Sequence, residues 1–272
     1  MSTTIICSCK NRNKALNISL SSWINLPDIT EIIVVDWSSD ENLEHILVLD
    51  QRIKLVRVHN KKYFNQIQPL NLAASLVKTD LILKLDSDYI INPYYDFICK
   101  YKPTKGQFCS GCTTEKVEGK ANNFYAFLRG FLFVYKEDFD LVGGYNESLK
   151  DNYAYEDEEI CSRLSKLGLQ EKCIDFDFHL IHIPHQDNKR TENFIGNAVT
   201  EEMLNLLNQN LQKYYPEEEF IYQKDYVIKE IHQSYNKNKS QNIQDHFVQQ
   251  ETRWKLFNIT DRYVIAEQIT NE

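Results

Sequence analysis

The sequence predicts an α/β protein built on a mainly parallel central sheet flanked by helices. Short β-branched runs alternate with helical stretches, several runs close on charged residues, and the alternation holds through roughly the first hundred positions.

The first run, "TTIICSC" (3–9), is short and β-branched, as a buried strand is. In the stretch that follows, Ala15, Leu16, Ser19 and Leu20 recur at helical spacing. "EIIVVDWSSD" (31–40) repeats the scheme, an apolar run closed by Asp36, and "IKLVRVHN" (53–60) supplies a third strand. "NLAASLVKTD" (71–80) reads as a helix, with "LILKLD" (81–86) as a fourth strand directly after it. Ligands of open α/β sheets bind beyond the carboxyl ends of the strands. Lys10, Arg12, Asp36, Asp86 and Asp88 are therefore expected on one edge.

Beyond residue 100 the sequence becomes aromatic and less regular. In "YAYEDEEICSRLSKLG" (153–168), Ile160, Leu164 and Leu167 recur at i, i+4 and i+7, so a helix should run from the acidic opening at Glu156 and Asp157 to a stop at Gly168. "EEMLNLLNQNLQKYYP" (201–216) reads as helical up to Pro216, and the Asn-, Gln- and Lys-rich tail is predicted to be a helical appendage. The expected division is a domain over 1–198 followed by that appendage over 199–272.

Composition narrows the function. With 272 residues, 42% hydrophobic and 26% charged, the chain can bury a core large enough for such a domain. A formal net charge of -8 argues against a protein that grips nucleic acid by its phosphates. No stretch approaches the roughly 20 apolar residues that cross a bilayer, and "MSTTIICSCKNR" lacks the features of a signal peptide, so a cytoplasmic protein without a transmembrane segment is expected. Seven cysteines is an odd count for a disulfide framework. Cys7, Cys99, Cys161 and Cys173 sit in largely apolar segments and are expected as reduced thiols. The CxxC at Cys109 and Cys112 reads as local packing.

The chemistry-bearing residues fall into three clusters. Asp86 and Asp88 close an apolar strand, and side chains at i and i+2 of an extended segment share a face, about 7 Å apart. They can flank a hard divalent cation, or one can bind the ion and the other a neighbouring hydroxyl. An EF-hand is excluded, because Ile90 and Ile91 stand where an oxygen ligand and a glycine are required. A second cluster, "DFHLIHIPHQDNKRTENF" (177–194), offers His182 and His185 as ligands for Mn²⁺ or Zn²⁺, with Lys189 and Arg190 for an anion; His179 reads as structural. In the third, "YEDEE", the helix N-terminus favours an ionised Asp157, able to take a proton from a hydroxyl. Tyr153 and Tyr155 offer flat faces for a sugar, and Gly143 and Gly144 permit close backbone approach or a plain turn.

In order and spacing, these stretches resemble the GT-A glycosyltransferases, in particular the family-2-like enzymes and the β-1,4-galactosyltransferase and chondroitin-polymerase group. The resemblance runs from residue 3 to about 195, through "CSCKNR" (7–12), "VVDWSS" (34–39), Phe64, Asn65, Leu70 and Asn71, "DSD" (86–88), "LRGFLFVYKEDFDLVGGYNE" (128–147), "YAYEDEE" and "HIPH". It departs from the family at Tyr153, where the galactosyltransferases carry a tryptophan.

The resemblance implies a GT-A fold with a nucleotide-binding half at 1–100 and an acceptor-binding half at 101–198. It implies inverting transfer of galactose, N-acetylgalactosamine, N-acetylglucosamine or glucose from a UDP-sugar to a hydroxyl of a glycan or other acceptor. Lys10, Arg12, Asp36, Asn65, Asp86, Lys189 and Arg190 would hold the nucleotide. Asp86, Asp88, His182 and His185 would hold Mn²⁺ or Mg²⁺. Asp157 would be the catalytic base, with Tyr153, Tyr155, Glu156 and Gly144 at the sugars. A glycan- or nucleotide-binding module without activity is an alternative. A sugar nucleotidyltransferase is another, although "CSCKNRNK" lacks the glycine-rich phosphate loop it calls for.

Overall fold

A computed structural model describes residues 1–45, 47–92, 96–111, 130–150, 156–174, 180–183 and 252–269. Four parallel strands form the middle of its sheet: β1 (Thr3–Cys9), β2 (Ile29–Trp37), β3 (Ile53–Val58) and β4 (Leu81–Lys84), in the order β3-β2-β1-β4. Beyond β4 lie β7 (Leu132–Tyr135), antiparallel to it, then β6 (Gln107–Ser110), then β8 (Gln170–Cys173), parallel to β6. A separate pair, β5 (Tyr89–Ile91) and β9 (Leu180–His182), is antiparallel.

The central strands are apolar on both faces because both faces are covered. Ile5, Val34 and Leu83 point into one core, shared with Leu16, Leu20 and Trp23 of α1 (Asn13–Trp23) and with Phe97 and Tyr101 of α3 (Phe97–Tyr101). Ile6, Ile33, Val35 and Ile82 point into the other. That core is shared with Leu70 and Ala73 of α2 (Ile67–Leu76), Phe139 of α4 (Lys136–Leu141), and Ile160 and Leu164 of α5 (Glu156–Lys166). Successive strand residues alternate between the two cores, so a near-continuous apolar run is what a doubly covered parallel strand requires.

The tail departs from expectation. Residues 252–269 form strands β10 (Arg253–Asn258) and β11 (Tyr263–Ile269), and β11 adds to β3 in parallel, extending the same sheet. The physical reason is the β-branched run "YVIA", whose Val264 and Ala266 drop into the second core. The edge of β3 is thereby paired, which removes an open strand edge. Trp254 seals the junction edge-on against Trp37 at 5.8 Å, and Thr252 N–H donates to Glu147 at 2.7 Å. The helical reading of 201–216 lies outside the described residues.

Cys173 is also a correction: it is disulfide-bonded, not reduced. The parallel pairing of β6 and β8 sets it opposite Ser110, so the strand end that carries it borders the CxxC stretch. A reducing cytosol does not favour such a bond. Among the described residues, no helix is long and apolar enough to cross a membrane.

One buried ion pair fixes how α5 sits. Arg163 clasps Glu159 in bidentate fashion, at 2.8 and 2.6 Å, and also donates to the carbonyl of Val142 at the end of α4. Both partners are 2% exposed. Arg163→Met leaves Glu159 charged and unpaired, and should destabilise the fold by about 3–5 kcal/mol in urea denaturation, whereas adding Glu159→Leu should recover most of the loss.

Candidate active site

The carboxyl ends of β1 and β2 turn sharply, with Asn11 (φ 56°) and Ser38 (φ 57°) in the left-handed region that non-glycine residues seldom occupy. Hydrogen bonds zip the two turns together. Asn11 N–H donates to Ser39 Oγ at 2.9 Å, and Asp40 N–H donates to Asn11 Oδ1 at 2.8 Å. Lys10 completes the clamp, its ammonium donating to the carbonyls of Trp37, Ser38 and Lys61 at 3.2, 2.7 and 2.8 Å. Those bonds use all three of its protons and give Lys10 a scaffold role that joins the two turns to the chain at Lys61.

Asp36 is similarly committed. One oxygen accepts Ser39 N–H at 2.9 Å, the other pairs with Arg57, and the residue is fully buried. Each oxygen retains a second lone pair able to accept a further donor. Asn65 exchanges hydrogen bonds with Gln68 at 3.0 and 3.1 Å where α2 begins. Asn71 locks onto the backbone of Tyr145 through both its amide groups, each at 2.8 Å.

Arg12 does reach the acidic pair, donating to Asp88 Oδ2 at 2.8 Å. Asp88 is buried, and its backbone carbonyl accepts Ile183 N–H at 2.7 Å. In the same ladder Tyr89 pairs with His182. The backbone of the histidine segment is thus brought to the DxD across more than ninety residues of sequence. The side chains of His182, His185, Lys189 and Arg190 lie outside what the structure describes, as do Tyr153 and Tyr155.

The centre of the site is a residue that motif reading passed over. Lys84, on the central strand β4, is 0% exposed. Its ammonium lies 2.9 Å from Asp86 Oδ1 and 3.0 and 3.3 Å from the two oxygens of Asp157. Burial alone would strip the proton from this lysine, but Asp157 and Asp86 together outweigh it and hold the pKa well above the ordinary lysine value. The signal was available in "LILKLD": a lysine inside an apolar run destined for a doubly covered strand needs buried anionic partners.

The same surroundings sort the carboxylates of α5. Burial pushes Asp157 up to about 6, against the pull of Lys84 and with a further push from Asp86. Glu156 is driven by burial, and then by the charge of Asp157, to about 8. At neutral pH, Asp157 is ionised beside a protonated Glu156, a split of roles that acid–base sites use. Tyr145 hydroxyl lies 3.4 Å from Asp157 Oδ1. Gly143 and Gly144, both at positive φ (80° and 71°), end α4 and turn the chain so that Tyr145 enters the core.

Asp86 is fixed from two more sides. Gln66 donates to its Oδ1 at 2.8 Å. On its other side a Cβ at Gly130 would lie 1.8 Å from Oδ2, so only glycine fits there. Thiol chemistry has no place here, since burial pushes Cys7 well up and Cys9 to about 12. Among the described residues no three acidic, histidine or cysteine side chains converge as a metal site. Asp86 and Asp88 nonetheless supply the hard oxygen donors that a divalent cation takes, with the histidine segment alongside.

A mainly parallel sheet with an antiparallel flank is the arrangement of the GT-A fold, and in it an aspartate pair follows β4 while the acidic N-terminus of α5 meets the first of that pair across Lys84. Residues 4–100 match the family model described as glycosyl transferase family 2. The fold is similar to that of a mutant of Drosophila β1,4-galactosyltransferase 7 solved with manganese, UDP-Gal and xylobiose: 13% identity, TM-score 0.52, covering 98% of this chain and 93% of that one. It is also similar to S. aureus TarS (1–349) in complex with UDP-GlcNAc, at 13% identity and TM-score 0.54, covering 86% of this chain and 70% of that one. No curated protein matches the chain.

Gly130→Ala should force Asp86 or the backbone to move and destabilise the protein by about 1–3 kcal/mol, read by urea denaturation. Unchanged stability would show that the contact is not tight.

Proposed function

We propose that the protein is a metal-dependent, inverting glycosyltransferase that moves a hexose or N-acetylhexosamine from a UDP-sugar to a hydroxyl of a glycan or other acceptor. The observation that carries this reading is the convergence of Asp86 and Asp157 on one buried ammonium. It sets a donor-side carboxylate and an ionisable helix carboxylate together at the edge where α/β sheets bind ligands. The complexes of the similar structures, with UDP-Gal, manganese and xylobiose in one and UDP-GlcNAc in the other, support the donor and acceptor classes.

Asp157 acts as general base. It takes the proton of the acceptor hydroxyl as that oxygen bonds to the anomeric carbon, while the bond from that carbon to the phosphate oxygen breaks and its electron pair leaves with UDP. Attack opposite the leaving group inverts the centre. Glu156, protonated at neutral pH, donates a hydrogen bond on the sugar side, where Gly144, Tyr153 and Tyr155 are also assigned. Arg12 is assigned to the diphosphate, with Lys189 and Arg190 closing over it. Asp88 and His185, with Asp86 and His182 beside them, would hold Mn²⁺ or Mg²⁺, which when bound supplies Lewis acidity toward the departing diphosphate.

The test is a screen of nucleotide sugars with Mn²⁺ for release of free UDP, with and without acceptors. UDP binding without any turnover would favour a binding module. Asp157→Asn should lower the transfer rate by about 10²–10⁴ and leave Mn²⁺-dependent UDP binding intact by calorimetry. Since the base must be ionised in the free enzyme, kcat/KM should fall about tenfold for each pH unit below about 6, and this acid limb should vanish in Asp157→Asn.

A further inference from the structure

We propose that Lys84 is a positioning residue for the reaction: its ammonium, held between Asp86 and Asp157, sets the separation between the donor side of the site and the base. The inference deepens the glycosyltransferase reading and rests on it.

Lys84 stands on β4, which is paired with β1 on one side and β7 on the other. Its backbone is therefore held by ladder partners on both sides. A side chain anchored there, fully buried and bonded to both carboxylates, carries that fixity to the first turn of α5. Among the described residues, the other groups that touch the same carboxylates are neutral: Gln66 on Asp86, and the Tyr145 hydroxyl on Asp157. Neutral donors can orient a carboxylate. They do not offset the repulsion between two carboxylates that face one gap, which an ammonium between them does.

Folding by itself gives no reason for a lysine at this position. A doubly covered strand accepts Leu or Met there, and exchanging buried ions for apolar side chains of similar volume is often neutral or stabilising. Being fully buried, Lys84 is closed off from substrate. Its effect runs through Asp157, which at the head of α5 has a free choice of rotamer unless something holds it.

The experiment combines Lys84→Met and Lys84→Gln with and without Asp157→Asn. With Asp157 intact, Lys84→Met should lower kcat about 10²-fold, the order of loss that follows a displacement of about 1 Å at a reacting group. KM for the donor and Mn²⁺-dependent UDP affinity should move far less. Lys84→Gln, which keeps a donor without the charge, should fall between. In the Asp157→Asn background, Lys84→Met should have no further effect on kcat, because no charged base is left to place. A second readout needs no turnover: if Lys84→Met lowers Tm, adding Asp157→Asn should raise it again by removing one of the two unpaired carboxylates.

Wild-type kcat in Lys84→Met, an equal loss in both backgrounds, or no recovery of Tm overturns the inference and leaves the glycosyltransferase reading standing. A wild-type protein that releases UDP from no nucleotide sugar overturns that reading, and the inference with it.

Discussion

A lysine with no access to water has to be surrounded by groups that replace it, and Lys84 imposes that demand on everything near it. An unpaired buried ammonium is so costly that it would lose its proton. Two carboxylates within hydrogen-bond distance keep it charged. One comes from the loop that leaves β4 and one from a helix more than seventy residues later, so the pairing joins distant segments of the chain. Further details follow from it. The carboxylate of Asp86 occupies the space where a side chain at Gly130 would begin. The start of α5 faces β4, and Arg163, paired with Glu159 on the same helix, ties α5 to the end of α4 through the Val142 carbonyl.

Around this centre, much of the polar inventory of the sheet edge turns out to be framework. Lys10, Asp36 and Asn65, which the resemblance assigns to the nucleotide, and Asn71 beside them all make hydrogen bonds to loops and helix ends. Edges of parallel sheets are where strands stop and backbone groups lose their ladder partners. Side chains must supply the missing bonds there, since buried backbone groups are rarely left unpaired. Tight turns such as those at Asn11 and Ser38 need the most such support. A polar residue that ends a buried strand is therefore as often a cap for its own loop as a hand extended to a ligand.

How legible the molecule was depended on the range of the forces involved. The strands at 3–9, 31–37, 53–58 and 81–84 and the helix from Glu156 were readable, because each is written in a local period. The Asp86–Asp88 pair was readable too, but not its geometry: β4 ends at Lys84 and residues 86–89 form a turn, Tyr89 N–H donating to the Asp86 carbonyl at 3.2 Å, so the extended same-face spacing does not hold. The tail was misread at 252–269: its composition is polar, and its strands exist because the open edge of β3 and the Trp37 ring were there to receive them. Lys84 was overlooked for a related reason. Its neighbours in the sequence are apolar, and its partner Asp157 is near only once the chain has folded.

By itself, then, the sequence determined the alternation of strands and helices, the parallel centre and the acidic edge, since these need only short-range patterning and the chirality of the chain. The tertiary structure decided which of the charged residues meet, which of them serve the loops, and that the chain's end returns to widen the sheet. Contacts between distant segments depend on burial, and burial is a property of the assembled fold: a charge acquires its partner, and its pKa, only when water has been removed from around it.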